Sequence, residues 1–375
     1  MKIKDFAVER YFAKYEFTAK YLLSSSDCDG YSMDYVLNLA SKAEMELWDK
    51  LTLGYTETVG SEFLRKAIQQ HYQSIQLDEI LVASPGEANF ILMNVLLSAG
   101  DHVVCMAPMY QSLYQVARDI GCNFTFWEPT IGQQGWHYNP LDLENLIQGN
   151  TKLIIVNFPH NPTGFSPSLE EYLYIIELAR QRDIPIFSDE MYRFLNHGNS
   201  IALPSASDLY ENAVSLWGTA KTFGLAGLRL GWLTSKNKQL LRKVESFKDY
   251  LSICSSAPSE VLGTIALNHM DSFVTPNLAK IKSNIAHFEQ FHQRHIDFFD
   301  FPKPTSGSTA FIKLKINESA MSFAERLVKD TGIMILPSET FEFGTSHVRI
   351  GFGRKNMPEI LGILENYLIR NVDTR

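Results

Sequence analysis

The chain has 375 residues, 45% of them apolar, a formal net charge of −8 and four cysteines. That length supports one large domain plus a smaller one, the acidic balance offers no field for a phosphate backbone, and no apolar run approaches the roughly 20 residues that span a bilayer. Neither nucleic acid nor membrane is an expected partner, and Cys28, Cys105, Cys122 and Cys254 form no CxxC pair, so neither a disulfide framework nor a metal site is suggested.

The opening MKIKDFAVERYFAKYEF mixes charges with aromatics where a leader would be apolar, which reads as a cytoplasmic protein. The first fifty residues lack sheet rhythm and are expected to pack on the smaller domain. From residue 80, short apolar runs alternate with amphipathic stretches: ILVA at 80–83, HVVCM at 102–106, KLIIVNF at 152–158 and IPIFSD at 184–189. This is the rhythm of a parallel sheet crossed by helices. Leu169, Leu173, Ile176 and Ala179 recur at helical spacing over 168–182, and AVSLW at 213–217 and RLGWLTS at 229–235 supply further strands. The last hundred residues change character, with a charged helix over 278–299, then TAFIKLKI, GIMILP, HVRIGF and a terminal helix from Met357. The expected fold is α/β, a large domain over 46–275 with a mostly parallel sheet between helices, and a smaller α+β domain from 1–45 and 276–375. There is no internal repeat or low-complexity tract.

Three strands end in polar residues, where open α/β sheets collect ligands: VNFPHNPTG at 156–164, IFSDEMYRF at 186–194 and WGTAKTFGLAGLRLGW at 217–232. Asp189 follows four residues of a buried run, so its carboxylate is either paired at the sheet edge or caps the next segment. Asn161-Pro162 reads as a turn. Lys221 follows an apolar strand and precedes Phe223 and two glycines, with Arg229 eight positions on. A lysine amine sheltered from water is the nucleophile a Schiff base requires, although most lysines at strand ends are solvated.

Together these segments resemble the signatures of the fold-type I pyridoxal-phosphate (PLP) enzymes, in particular the class I/II aminotransferases, and the resemblance runs over nearly the whole chain. It implies that Lys221 carries the cofactor as a Schiff base, that Asp189 pairs with the pyridine nitrogen, and that Tyr192 and Asn161 reach the ring's phenolic oxygen. Asn161 is further implied to help fix the substrate carboxylate, with Asn161-Pro162 in the cis form. Arg229 is implied to pair with the cofactor phosphate, in a cup completed at SPGEANF, residues 84–90. There Pro85 has no N–H, so the amides of Gly86 and Glu87 carry more of the binding. Tyr110 matches the aromatic that stacks on the ring, and Arg349, in HVRIGFG, the guanidinium that clamps the α-carboxylate. Tyr55 matches the tyrosine that reaches the neighbouring subunit's phosphate, which implies a homodimer with shared active sites.

The chain departs from the family pattern in two places. Gly218-Thr219-Ala220 replaces the usual Ser-x-Ser before the lysine, with Thr219 as the stand-in, and SSSDCDGYS at 24–32 replaces the glycine-proline loop. The implied activity is transfer of an amino group from an amino acid to a 2-oxo acid through pyridoxamine phosphate. Elimination, replacement or cyclisation on the same scaffold is the alternative, left open by the Ser-rich loop and by Ser306-Gly307-Ser308-Thr309. A non-catalytic regulator is the alternative of another class, opposed by the full residue set and by the lack of a helix-turn-helix segment before residue 50. Neither GxSxG nor GxGxxG follows a strand. Aromatic residues near the site point to a large or apolar substrate side chain.

Overall fold

The computed structural model describes residues 2–132, 135–198 and 200–371. Seven strands form one sheet: β1 (Ile80–Ala83), β2 (His102–Met106), β3 (Asn123–Trp127), β4 (Thr151–Asn157), β5 (Ile186–Asp189), β6 (Ala213–Gly218) and β7 (Gly231–Thr234). Their order is β1-β7-β6-β5-β4-β2-β3. Only β7 runs antiparallel to its neighbours. β1, β2, β5, β6 and β7 are buried at every position, because helices cover both faces, which is why they read as unbroken apolar runs. The edge strand β3 has no such run: its residues are partly exposed and alternate in polarity, and the chain's hydrophobic rhythm does not announce it.

The helices include α1 (Ala7–Tyr15), α2 (Pro85–Leu96), α3 (Leu169–Gln181), α4 (Ala257–Asn268), α5 (Asp271–Arg294) and α6 (Met357–Asn371). α3 begins where a capping box says it should: Ser168 Oγ accepts from the Glu171 amide at 3.2 Å and Glu171 returns the bond at 2.8 Å. α5 starts earlier than the charged pattern indicates, because Phe273 and Val274 are buried on its first turns and Pro276 is accommodated within it. It ends at Arg294 rather than 299, since Phe299–Asp300 pairs as a strand, β8. With β9 (Thr309–Leu314), β10 (Leu336–Pro337) and β11 (His347–Gly351) this strand makes an antiparallel sheet of order β8-β9-β11-β10. Among the described residues no helix is long and apolar enough to cross a membrane.

The N-terminal fifty residues bridge the two sheets. Tyr21–Leu22 pairs in parallel with Ile333–Met334, whereas Glu44, in the helix Lys42–Asp49, accepts from Asn268 at the end of α4 at 2.7 Å. Between them the serine-rich segment lies flat on the end of β11. The Gly351 amide donates to Leu23 at 2.8 Å, and a Cβ at Gly351 or Gly353 would overlap the Ser25 or Asp27 carbonyl. Gly351→Ala is therefore expected to destabilise the fold by about 1–3 kcal/mol by pushing this segment off. Gly362→Ala, in open space on α6, is expected to stabilise by about 0.5–1 kcal/mol. Thermal denaturation of the two variants should show opposite shifts.

Candidate active site

The carboxyl ends of the parallel strands open into a cleft of about 430 Å³. Asp189, the last residue of β5, lines it and is only 7% exposed. Its Oδ1 accepts from the Met191 amide at 3.0 Å. Burial pushes the carboxyl up to about 7 against the pull of that amide and of Lys221, and Glu190 adds to the rise. Asn157, the register partner of Asp189 on β4, ties this edge together. Its Nδ2 donates to the Asp189 carbonyl at 2.9 Å, and its Oδ1 accepts from the Asn161 amide at 2.7 Å.

Tyr192 lies in the turn after β5, and its buried hydroxyl has no hydrogen-bond partner among the described residues. A buried hydroxyl without a partner costs free energy unless a ligand satisfies it. The half-buried Lys221, three residues past β6, points its Nζ at Ser26 Oγ, 2.8 Å away. Arg229 adopts a left-handed backbone, φ 51°, and lines the same cleft. Pro85 and Gly86 also line it, at the N-terminus of α2. The first intrahelical amide there is that of Ala88, donating to Ser84 at 2.9 Å, which leaves the Gly86 and Glu87 N–H groups free for an anion.

Arg349, on β11, is 1% exposed. It donates to the Ser24 carbonyl at 2.9 and 3.2 Å and to Asn161 Oδ1 at 3.1 Å, and among the described residues no carboxylate pairs with it. Burial lowers its pKa, because desolvation disfavours the charged form. The Asn161-Pro162 bond is cis. Tyr110 lines the cleft and its hydroxyl donates to Glu9 Oε1 at 2.6 Å; burial and Glu9 push its pKa well up.

Two residues singled out in the sequence, Thr219 and Tyr55, do not line the cleft, and a third, Glu87, keeps its amide at the α2 N-terminus while its side chain turns away. Thr219 is wholly buried, and its hydroxyl donates to the backbone carbonyls of Leu225 and Leu230 at 3.3 and 3.2 Å. Glu87 turns its carboxylate to the Ser252 amide at 3.3 Å. Tyr55 is 87% exposed, in a surface groove with Leu51 and Ala257. Sequence reasoning missed Asn157 and the wall made by the N-terminus: Glu9, Phe12, Glu16, Ser26 and Asp27. The i, i+3, i+7 spacing of Glu9, Phe12 and Glu16 was the available signal for that wall.

An amine, a buried acid, a free hydroxyl, a helix N-terminus and two arginines in one cleft suit a phosphorylated aldehyde together with a carboxylate substrate. Residues 18–362 match the family model for aminotransferase class I and II. The capreomycidine synthase of Streptomyces vinaceus is 27% identical over 353 residues, 93% of this chain and 88% of that protein. An aspartate aminotransferase of Sulfurisphaera tokodaii is 27% identical over 83% of each chain. In structure, a PLP-dependent aminotransferase from Streptococcus suis superposes with a TM-score of 0.91 at 25% identity over 99% of both chains. The PLP-dependent cyclase OrfR reaches 0.90 at 24% identity over 98% of both, a likeness of fold. The chain belongs to the class I and II aminotransferase family, enzymes of fold type I that work with pyridoxal phosphate.

Proposed function

We propose that this enzyme is an aminotransferase that moves an amino group from an amino acid to a 2-oxo acid, with Lys221 as the cofactor-bearing residue. The reading is carried by one observation: the Lys221 amine, the Asp189 carboxyl and the unpaired buried guanidinium of Arg349 share a single cleft. Pyridoxal phosphate bound there supplies an electron-withdrawing ring that stabilises negative charge at the substrate's Cα. Asp189 would hold the proton on the ring nitrogen, and Tyr192 and the Nδ2 of Asn161 would donate to the phenolic oxygen. Tyr110 would pack on the ring. The Gly86 and Glu87 amides with Arg229 would hold the phosphate, while the Thr219 hydroxyl is bonded to backbone carbonyls. Arg349 grips the α-carboxylate with its planar fork, and Lys221 Nζ takes the proton from Cα.

A second reading is a lyase or cyclase. It is favoured by the relative that is a capreomycidine synthase and by the serine-rich segment that sets Ser26 against Lys221. Adding an amino acid alone to the holoenzyme separates the two. Transamination consumes the visible band stoichiometrically and releases the matching 2-oxo acid, and turnover restarts only with an added acceptor. Continuous release of ammonia without an acceptor would overturn it.

The same reading makes the enzyme a cytoplasmic homodimer with shared sites. Tyr55 is exposed beside other exposed apolar residues, Leu53 and Tyr250 at 87% and 89%, on segments joined by Thr56 Oγ1 donating to the Ser255 carbonyl at 3.1 Å. Sedimentation is expected to give twice the 42.6 kDa chain mass. Tyr55→Phe is expected to weaken cofactor affinity about tenfold by removing one charge-assisted hydrogen bond across subunits. A monomer that binds the cofactor normally would refute the shared site.

A further inference from the structure

One wall of the cleft is acidic in a way that the amino-transfer chemistry does not use. α1 presents Glu9 and Phe12 to the cavity, its capping residues Phe6 and Glu16 extend that face, and the serine-rich segment adds Asp27. Glu9 accepts from the neutral Tyr110 hydroxyl, which leaves its charge in place. Glu16 has no ion pair or side-chain hydrogen bond among the described residues, while Asp27 is paired with Arg354 at 3.0 Å. Burial, then Asp27 and Glu9, push the Glu16 carboxyl up, against the pull of Arg354 and Lys221. The same cleft is lined by Tyr192, whose buried hydroxyl has no partner among the described residues.

The carboxylate end of a substrate is set by Arg349, whose guanidinium carbon lies 5.8 Å from the centre of the Phe12 ring. Phe12 stands on the same helical stripe as Glu9 and Glu16, one turn from each. A substrate held at Arg349 therefore lays its aliphatic stem along Phe12 and ends beside the two glutamates. An acidic side chain would meet like charge there, and a neutral one would leave Glu16 without a partner. We propose that the amino acid used by this site carries a cationic side chain, an ammonium or a guanidinium, held by Glu9 and Glu16 with Asp27 beside them. This rests on the reading of Lys221 and Arg349 given under the proposed function and narrows it.

The test uses inert probes that lack a primary amine and so cannot form a Schiff base: 6-(trimethylammonio)hexanoate, 5-guanidinopentanoate, hexanoate and adipate, titrated calorimetrically into the holoenzyme. At least one cationic probe is expected to bind about tenfold or more tighter than hexanoate, with adipate weakest, as one charge-assisted hydrogen bond implies. In the double variant Glu9→Gln, Glu16→Gln the ratio of cationic probe to hexanoate is expected to collapse toward one. Equal binding of cationic and neutral probes, tighter binding of adipate, or a preference that survives the double variant would overturn the proposal. The wild-type ratio decides even if the variant fails to fold. A protein that takes up no pyridoxal phosphate would instead sink the aminotransferase reading, and the heats would still report on the acidic wall.

Discussion

Lys221→Ala is expected to lose the borohydride-reducible visible absorbance and at least about 10⁴-fold of turnover, because no other group in the cleft supplies both the covalent attachment and the base. The fold should survive. Lys221 is half-buried, and among the described residues its side chain makes a single hydrogen bond, to Ser26 Oγ at 2.8 Å. Circular dichroism matching the wild type alongside an absent chromophore is the expected pair of readings. Full turnover in the variant would remove Lys221 from the mechanism.

Asp189→Asn is expected to move stability and activity in opposite directions. Burial raises this carboxyl from 3.8 to about 7, so the folded chain holds the proton longer than the unfolded one. In the cofactor-free protein stability is therefore highest below about 3.8, falls as pH rises to about 7, and carries the full cost of the buried charge above that. Asparagine keeps the acceptor for the Met191 amide without the charge. At about pH 8 the cofactor-free variant should melt higher than the wild type, by at most about 4 kcal/mol of stability, and the gain should vanish near pH 4. Turnover should fall about 10³-fold, since a neutral amide cannot hold the proton on the ring nitrogen. Equal melting of the two proteins at high pH would show that the Asp189 carboxyl is solvated.

Most of the central sheet was legible because strands covered by helices on both faces are largely apolar, and six of the seven, the antiparallel β7 included, read that way. β3 escaped because an edge strand with partly exposed faces carries mixed residues. The boundaries of α5 shifted for a similar reason: the charged pattern marks its solvent face, while Phe273 and Val274, which seat its first turns, carry no charge. In the site, residues at strand ends were visible because polar groups interrupt apolar runs there, as at Asp189. Asn157 sits in such a position too, but its work is to brace the Asp189 and Asn161 backbone, a task that the residue type alone does not advertise.

Local order of residues along the chain determined the parallel sheet, the strand-end polar groups and the helix start at Ser84-Pro85, since burial and hydrogen-bonding needs act on each short segment by itself. The pairing of distant segments was decided only by the tertiary structure. Ser24 meets Arg349 across 325 positions and Ser26 meets Lys221 across 195, because Gly351 and Gly353 leave room for the serine-rich segment to lie on the strand end. The acidic wall arises the same way. Glu9 and Glu16 belong to a short surface helix by pattern, and it is the docking of α1 through Gln111, which accepts from the Ala7 amide at 2.8 Å, that turns their charge inward onto the cleft.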